Sequence, residues 1–576
     1  MNAKTLSAAV AVATCAFGAS AEMTIDLDLG AKPIRDMKTT ANGVAMGVNG
    51  AMEAWLCSVS GNDDILYVSN RVETARVYRQ AGLRVMRLQG MNSWWNNRTK
   101  RTKDGKYPLT NPKAAFDFWK ANRVKVFVCL ECWNQAAVTN CLEIIKWIVD
   151  NDYKDQVVGI EMGNETYGSK NYPKLAAFWP QVIDGARRIW PKVKFGLVLG
   201  EYMENEPEIE HIAARMASSE DLGCSWDPVL GYASDRYFTA DEANRNTANF
   251  VIAMSNHLHK IDHVIYHGYC AETPYSCSYY GFRRFRNFIE AYPQLKGKKY
   301  WLTEVRLRSD EDNRCQRIFR ETLLWSHYAL MALCQPETDC LLQHQASALA
   351  GVVYQSTGRA WGTQWMDGMH WGGREIPDYA APYDLPRLEV GSMGALYRIF
   401  TEAIMDHPLL LAHGTSRERD TEDAFYTSAR VADQVYRRRR AIIEGKKPFL
   451  WIFGGVPEVE GEMEWVAASG SGEICLLMVN TKSEPETVRV TVKGKQFFAP
   501  TYRTLSCPEE YLDCRAIPGD GPVWRQTSWE GTQFGVSEIP MAMYAKLKPK
   551  CDVLTVTIAP HTVQTVTVPI RDAPKK

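Results

Sequence analysis

Short apolar runs alternate with amphipathic stretches from about Gly43 to Met405. The runs are GVAMGVNG, LRVMRLQG, VKVFVCLECW, VVGIEMGNE, KFGLVLGE, IDHVIYHGY, KYWLTEVRL and CLLQHQA, in that order. They are apolar nearly throughout rather than at every second position, as expected of parallel strands buried on both faces. Between them VETARVYRQAG, AAFDFWKANR, CLEIIKWIVDN and FWPQVIDGARRIW space their apolar residues as helices do, and GSMGALYRIFTEAIM predicts a last helix at 391–405. Eight strand–helix alternations predict a (β/α)8 TIM barrel of the α/β class over 43–405. A doubly wound open sheet is the alternative, but its GxGxxG fingerprint is missing after the first strand.

Beyond residue 405 the period changes. EMEWVAASG, EICLLMVNT, ETVRVTVKG, DVLTVTIAP and TVQTVTVPI alternate and are bounded by turn residues, which predicts an antiparallel β-sandwich over 406–576. MTIDLDLG (Met23–Gly30) also alternates but has no helix after it. The N-terminal segment 22–42 is therefore expected to lend a strand to the sandwich. The Gly/Pro-rich stretch from Cys507 to Ala542 reads as a long loop.

The first 21 residues combine Lys4, a small-residue apolar run and Ala19-Ser20-Ala21, the pattern of a secretory signal peptide. The chain is expected to be secreted or periplasmic, without membrane insertion, since no other segment could span a bilayer. Lys plus Arg and Asp plus Glu both total 67, so no bulk charge draws the chain to nucleic acid. With Cys15 removed, an even number of cysteines is left, which permits disulfides; Cys270/Cys277 and Cys507/Cys514 are local candidates. Cys129 and Cys132 form a lone CxxC and are read as buried thiols, because a zinc site usually needs a second pair. His257, His259, His263 and His267 likewise lack metal-site spacing, and no metal or cofactor is expected. Arg437 to Arg440 read as a solvated helix face.

In such a barrel the chemistry sits where the strands end at their C-termini. The polar residues there are Arg87 and Gln89, Glu131 and Trp133, Asn164 and Glu165, Glu201, His267 and Tyr269, Glu304 and Arg306, and Gln343 and His344. Glu165 on the fourth strand and Glu304 on the seventh face each other across the barrel. Two carboxylates flanking a bond, one protonated and one ionised, are what glycoside hydrolysis requires. Among the aromatics, Trp94, Trp95 and Trp133 follow the second and third strands, and Trp361, Trp365 and Trp371 lie in the long loop GRAWGTQWMDGMHWGG. Some of these rings are expected to stack on sugar.

VGIEMGNE and YWLTEVRL resemble the acid/base and nucleophile strands of the clan A retaining glycoside hydrolases. Arg87 in LRVMRLQG, His267 and Tyr269 in IYHGY, and the closing LTVTIAPHTVQTVTV extend the resemblance over nearly the whole mature chain. The layout is similar to that of the α-L-arabinofuranosidase, β-xylosidase and endo-glycanase families. The resemblance implies double displacement: Glu304 attacks the anomeric carbon, and Glu165 protonates the leaving oxygen and then activates water. It implies that Asn164 bonds the sugar 2-hydroxyl and that Arg87 and Tyr269 hold Glu304 ionised, and His267 matches the same pattern. Glu131 and His344, by their places at strand ends, and Trp94, Trp95, Trp133 and Trp365 are further candidates to bind substrate or support the site. The expected partner is a plant or algal polysaccharide or its fragments. A transglycosidase using the same residues and a glycan-binding protein that has lost catalysis are the competing classes.

Overall fold

A computed structural model of the chain describes residues 23–37, 46–49, 79, 81–101, 110–166, 171–199, 249–270, 294–307, 318–344, 353–355, 388–390, 392–416, 463–506 and 551–573. After two short N-terminal strands, β1 (Met23–Leu27) and β2 (Arg35–Asp36), eight parallel strands close into a barrel. They are β3 (Met46–Asn49), β4 (Val85–Leu88), β5 (Lys125–Leu130), β6 (Val157–Met162), β7 (Phe195–Leu199), β8 (His263–Cys270), β9 (Lys299–Leu307) and β10 (Thr338–His344). β10 pairs back onto β3 and completes the ring. Each falls within or beside one of the eight apolar runs.

The helices described around the barrel are α1 (Met91–Asn97), α2 (Pro112–Asn122), α3 (Gln135–Asp150), α4 (Trp179–Ile189), α5 (Ile318–Leu333) and α6 (Ser392–Asp406). α3 starts earlier than its apolar period suggests. Asn134 caps it, its side chain accepting from Ala137 N at 2.9 Å, and the polar first turn is helical for that reason. The helix expected at VETARVYRQAG lies mostly outside the described residues.

The barrel interior is filled, and Trp301 dominates it. It packs on Phe127 at 4.9 Å between ring centroids and stacks on His263 at 4.0 Å. Two glycines make room: a Cβ on Gly159 would lie 2.2 Å from the Trp301 ring, and one on Gly196 would lie 2.5 Å from it. Gly159→Ala is therefore expected to destabilise the fold by about 1–3 kcal/mol through overpacking, read as a lower melting temperature by circular dichroism. Below Trp301, Asp339 pairs with His263 at 3.0 Å and lies 3.7 Å from Arg35 of β2, so the N-terminal segment seals the barrel floor.

β9 carries a bulge. Ile265 pairs with Trp301 and His267 with Glu304, two residues on β8 against three on β9. On a regular strand, residues three apart point to opposite faces. The extra residue restores the phase, so Trp301 and Glu304 both enter the barrel.

The remaining strands are β11 (Val353–Gln355) and β12 (Leu388–Val390), which form a separate antiparallel pair, and β13 (Leu409–Thr415), β14 (Met463–Gly470), β15 (Glu473–Asn480), β16 (Glu486–Val492), β17 (Lys495–Phe497), β18 (Thr501–Ser506), β19 (Val553–Ile558) and β20 (Thr562–Asp572). β13 to β20 build the sandwich with both N-terminal strands. One sheet runs β1-β16-β19; the other runs β17-β20-β15-β14-β13-β2, with β18 also on β20. β1 joins as expected, but parallel to β16, so that one edge departs from the antiparallel rule.

The sandwich strands are not all one-sided. β16 and β19 alternate, with one face buried. β14 and β15 are buried on both faces over most of their length. Trp465, Ala467, Leu476 and Met478 face the three-stranded sheet, whereas Val466, Ala468, Leu477 and Val479 join the core of the barrel shell. The larger sheet is thus a middle layer. A fully buried carboxylate, Glu464, ties it to the barrel by accepting from His327 of α5 at 2.8 Å and His413 of β13 at 2.6 Å.

Candidate active site

β6 ends at Met162, and the chain turns sharply through Gly163 and Glu165, which have φ of 96° and 45°. A Cβ on Gly163 would lie 2.6 Å from Thr166 Cγ2, so glycine is needed there on two counts. Glu165 adopts the left-handed region without being glycine, an arrangement that costs energy and gathers at functional sites. The turn lifts its carboxylate over the mouth of the barrel.

Four groups converge beneath and beside it. Arg87, wholly buried, donates from Nη1 to Glu304 Oε2 at 3.0 Å and from Nη2 to Asn164 Oδ1 at 2.8 Å. His267 Nδ1 lies 3.3 Å from Glu165 Oε1 and 3.7 Å from Glu304 Oε2, and its Nε2 lies 3.3 Å from Thr303 Oγ1. One ligand atom from each of Glu165, His267 and Glu304 falls within 4.8 Å of the others. Such spacing could admit a cation, but Arg87 already occupies Glu304 and repels a second positive charge. The two carboxylates differ in environment: the Glu165 side chain is 40% exposed and that of Glu304 is 7%. One meets solvent, while the other is held against a guanidinium.

Arg87 has a third partner that inspection of strand ends misses. Its Nε donates to Glu161 Oε2 at 2.5 Å. Glu161 stands within the apolar strand VVGIEM and is fully buried. Burial opposes the charge of Arg87, but the negative groups around it, Glu161 foremost, outweigh burial and raise its pKa. The signal was available in the sequence: a carboxylate inside a two-faced buried strand must have a partner. Cys129 on β5 is free and buried, and burial pushes its thiol up, so it stays neutral beside Arg87.

The β5 exit forms one flank of the mouth. Asn92 of α1 accepts from Glu131 N at 2.8 Å and donates to Glu131 O at 3.2 Å, clamping the backbone. Trp133 Nε1 donates to Glu131 Oε2 at 3.4 Å, and the residue is 36% exposed. Trp95 differs from expectation. It is buried, edge-on to Trp147 at 5.6 Å and capped by Arg98, so its ring serves the helical shell. Trp94 packs partly against the same core. The four histidines disperse: His263 lies at the barrel floor and His267 at its mouth, with His257 and His259 on a 3-10 turn before β8. Cys132 and Cys141 are buried free thiols like Cys129.

The backbones of Tyr269 and His344 end β8 and β10, but their side chains lie outside the described residues, as does that of Cys270. Glu201, Trp361, Trp365, Trp371, Arg437 to Arg440, Cys277, Cys507, Cys514, the signal segment and the expected loop after Ser506 also lie outside them.

No protein-family model matches the sequence, and a search of curated proteins gives no match. Solved structures do match. The α-L-arabinofuranosidase from Thermotoga maritima, in complex with arabinose, aligns at a TM-score of 0.53 and 10% identity over 94% of this chain and 99% of that one. The GH51 α-L-arabinofuranosidase from Thermotoga petrophila RKU-1 aligns at 0.53 and 10% identity over 95% and 99%. The GH51 arabinofuranosidase from Xanthomonas axonopodis pv. citri aligns at 0.52 and 9% identity over 95% and 99%. At such identity the likeness is one of fold: the chain resembles the barrel-plus-sandwich enzymes of clan A over nearly its whole length.

Proposed function

We propose that the protein is an exported retaining glycoside hydrolase acting on a plant or algal polysaccharide or its oligosaccharides. The observation that carries this is the convergence of Glu165 and Glu304 at the barrel mouth, with Arg87 bonded to Glu304 and not to Glu165. Retaining enzymes hold their two carboxyl groups about 5–5.5 Å apart, against roughly 6.5–9.5 Å where a water must fit between them. The oxygens here, within 4.8 Å, fit the shorter class.

Glu304 attacks the anomeric carbon, and its bond to Arg87 keeps it ionised and aimed. Glu165 gives its proton to the departing oxygen. Once Glu304 is esterified, Glu165 takes a proton from the incoming water. Asn164 accepts from Arg87 through Oδ1, which leaves its amide nitrogen to meet the sugar 2-hydroxyl as positive charge develops on the ring. Trp133 offers an exposed ring at the flank for a neighbouring sugar.

A panel of aryl glycosides and plant and algal polysaccharides tests the proposal, with aryl α-L-arabinofuranoside first because enzymes of that activity share the fold. Hydrolysis is expected, and proton NMR of the first product is expected to show the starting anomeric configuration. An inverted first product would overturn the mechanism. A panel left wholly intact by a chain that still binds glycan would favour the non-catalytic class.

A further inference from the structure

We infer that Glu161 is a positioning residue that shares Arg87 with Glu304 and so moderates the charge on the nucleophile; this rests on the hydrolase proposal above. The guanidinium meets three partners with three nitrogens: Nε to Glu161, Nη1 to Glu304 and Nη2 to Asn164. Its plane is fixed by three points, which a planar fork permits and a lysine ammonium would not. Glu161 holds the inner edge, so the outer two nitrogens face the residues that flank the reaction.

The second consequence is electrostatic. Arg87 with Glu304 alone would form a neutral pair. With Glu161 the group carries one net negative charge in a water-poor interior. Glu161 Oε1 has no hydrogen-bond partner among the described residues, so the carboxylate is poorly satisfied except through Arg87. Burying such a charge is costly unless it serves something. A nucleophile in double displacement must attack and later leave. Full neutralisation by arginine would make Glu304 a good leaving group but a weak attacker. Dividing Arg87 between two carboxylates avoids that extreme. Among the described residues, His267 from β8 and Glu165 from the turn after β6 also face Glu304, with neutral Cys129 from β5 beside Arg87. Among the described charged groups, Glu161 is the one that acts on Glu304 through Arg87.

Glu161→Gln removes the competing charge and leaves the shape. The field of Arg87 then falls undivided on Glu304 and favours its ionised form at lower pH. The acid limb of the kcat/KM profile on the best aryl glycoside is expected to move down by about one pH unit, with slower attack. Glu161→Asp keeps the charge and is expected to hold the limb near its wild-type position while kcat falls several-fold. A folded Glu161→Gln chain whose limb and rates equal wild type overturns the inference. Should that variant fail to fold, a Glu161→Asp chain with wild-type kcat does the same.

A second measurement needs no turnover and separates this inference from the hydrolase proposal. Glu161→Gln, Glu304→Gln and the double variant are compared in chemical unfolding. Either carboxylate alone can neutralise Arg87, but loss of both strands a buried cation. The double variant is expected to lose clearly more stability than the two singles summed. Additive losses would show that Arg87 is not shared, whatever the chain hydrolyses.

Discussion

Glu304→Ala is expected to lower kcat on an aryl glycoside by at least ~10⁴-fold while the chain stays folded. No other described side chain can replace it as nucleophile. Glu165 stands on a raised turn, and Glu161 lies beneath the guanidinium, farther into the barrel. The variant also leaves Arg87 with one carboxylate partner, Glu161, so the buried cation stays neutralised and the fold survives. Steady-state kinetics with a melting temperature on the same sample check both halves. Retention of hydrolysis within about tenfold of wild type would remove Glu304 from the reaction.

Glu165→Ala separates the two steps. With a substrate whose leaving group needs protonation, kcat/KM is expected to fall about 10²–10⁴-fold, the usual worth of a general acid. With a dinitrophenyl leaving group, which departs unaided, the first step is nearly unchanged. The glycosyl-enzyme then accumulates, because no base activates water. Azide, which needs no deprotonation, is expected to restore turnover and give a glycosyl azide of the starting configuration. The half-exposed position of Glu165 leaves room for it. Equal losses on good and poor leaving groups, without azide rescue, would make Glu165 a binding residue and not the acid/base.

The barrel was legible because its signal is cumulative. No single run from GVAMGVNG to CLLQHQA says more than "strand or buried helix", but eight of them in alternation with helices leave few folds. The carboxylates were legible for a similar reason, since Glu165 just past β6 and Glu304 in the second half of β9 belong to strands that a closed barrel brings to one mouth. Glu161 was missed because attention to strand ends passes over a charge within a strand. Trp95 is ambiguous in the sequence because its place after β4 is compatible with both the mouth and the shell. Only the packing of α1 against α3, with Trp147 and Arg98 around the ring, decides between them. EWVAA and ICLLMV are apolar on both faces, as the two-sided burial of β14 and β15 requires, but nothing local identifies the second layer they meet.

By itself, then, the sequence determined what depends on local period and order: a closed α/β barrel, a β-sandwich after it, an N-terminal strand returning to that sandwich, and two carboxylates at strand ends. Tertiary structure decided what depends on phase and on sharing. The bulge in β9 turns both Trp301 and Glu304 inward, although their spacing alone sets them on opposite faces. One guanidinium from β4 serves Glu161, Glu304 and Asn164, residues brought to it from two other strands and a turn. A hydrophobic period records which way each residue faces along its own element. Which charges meet is set by closure of the ring, and that exists only once all eight strands are in place.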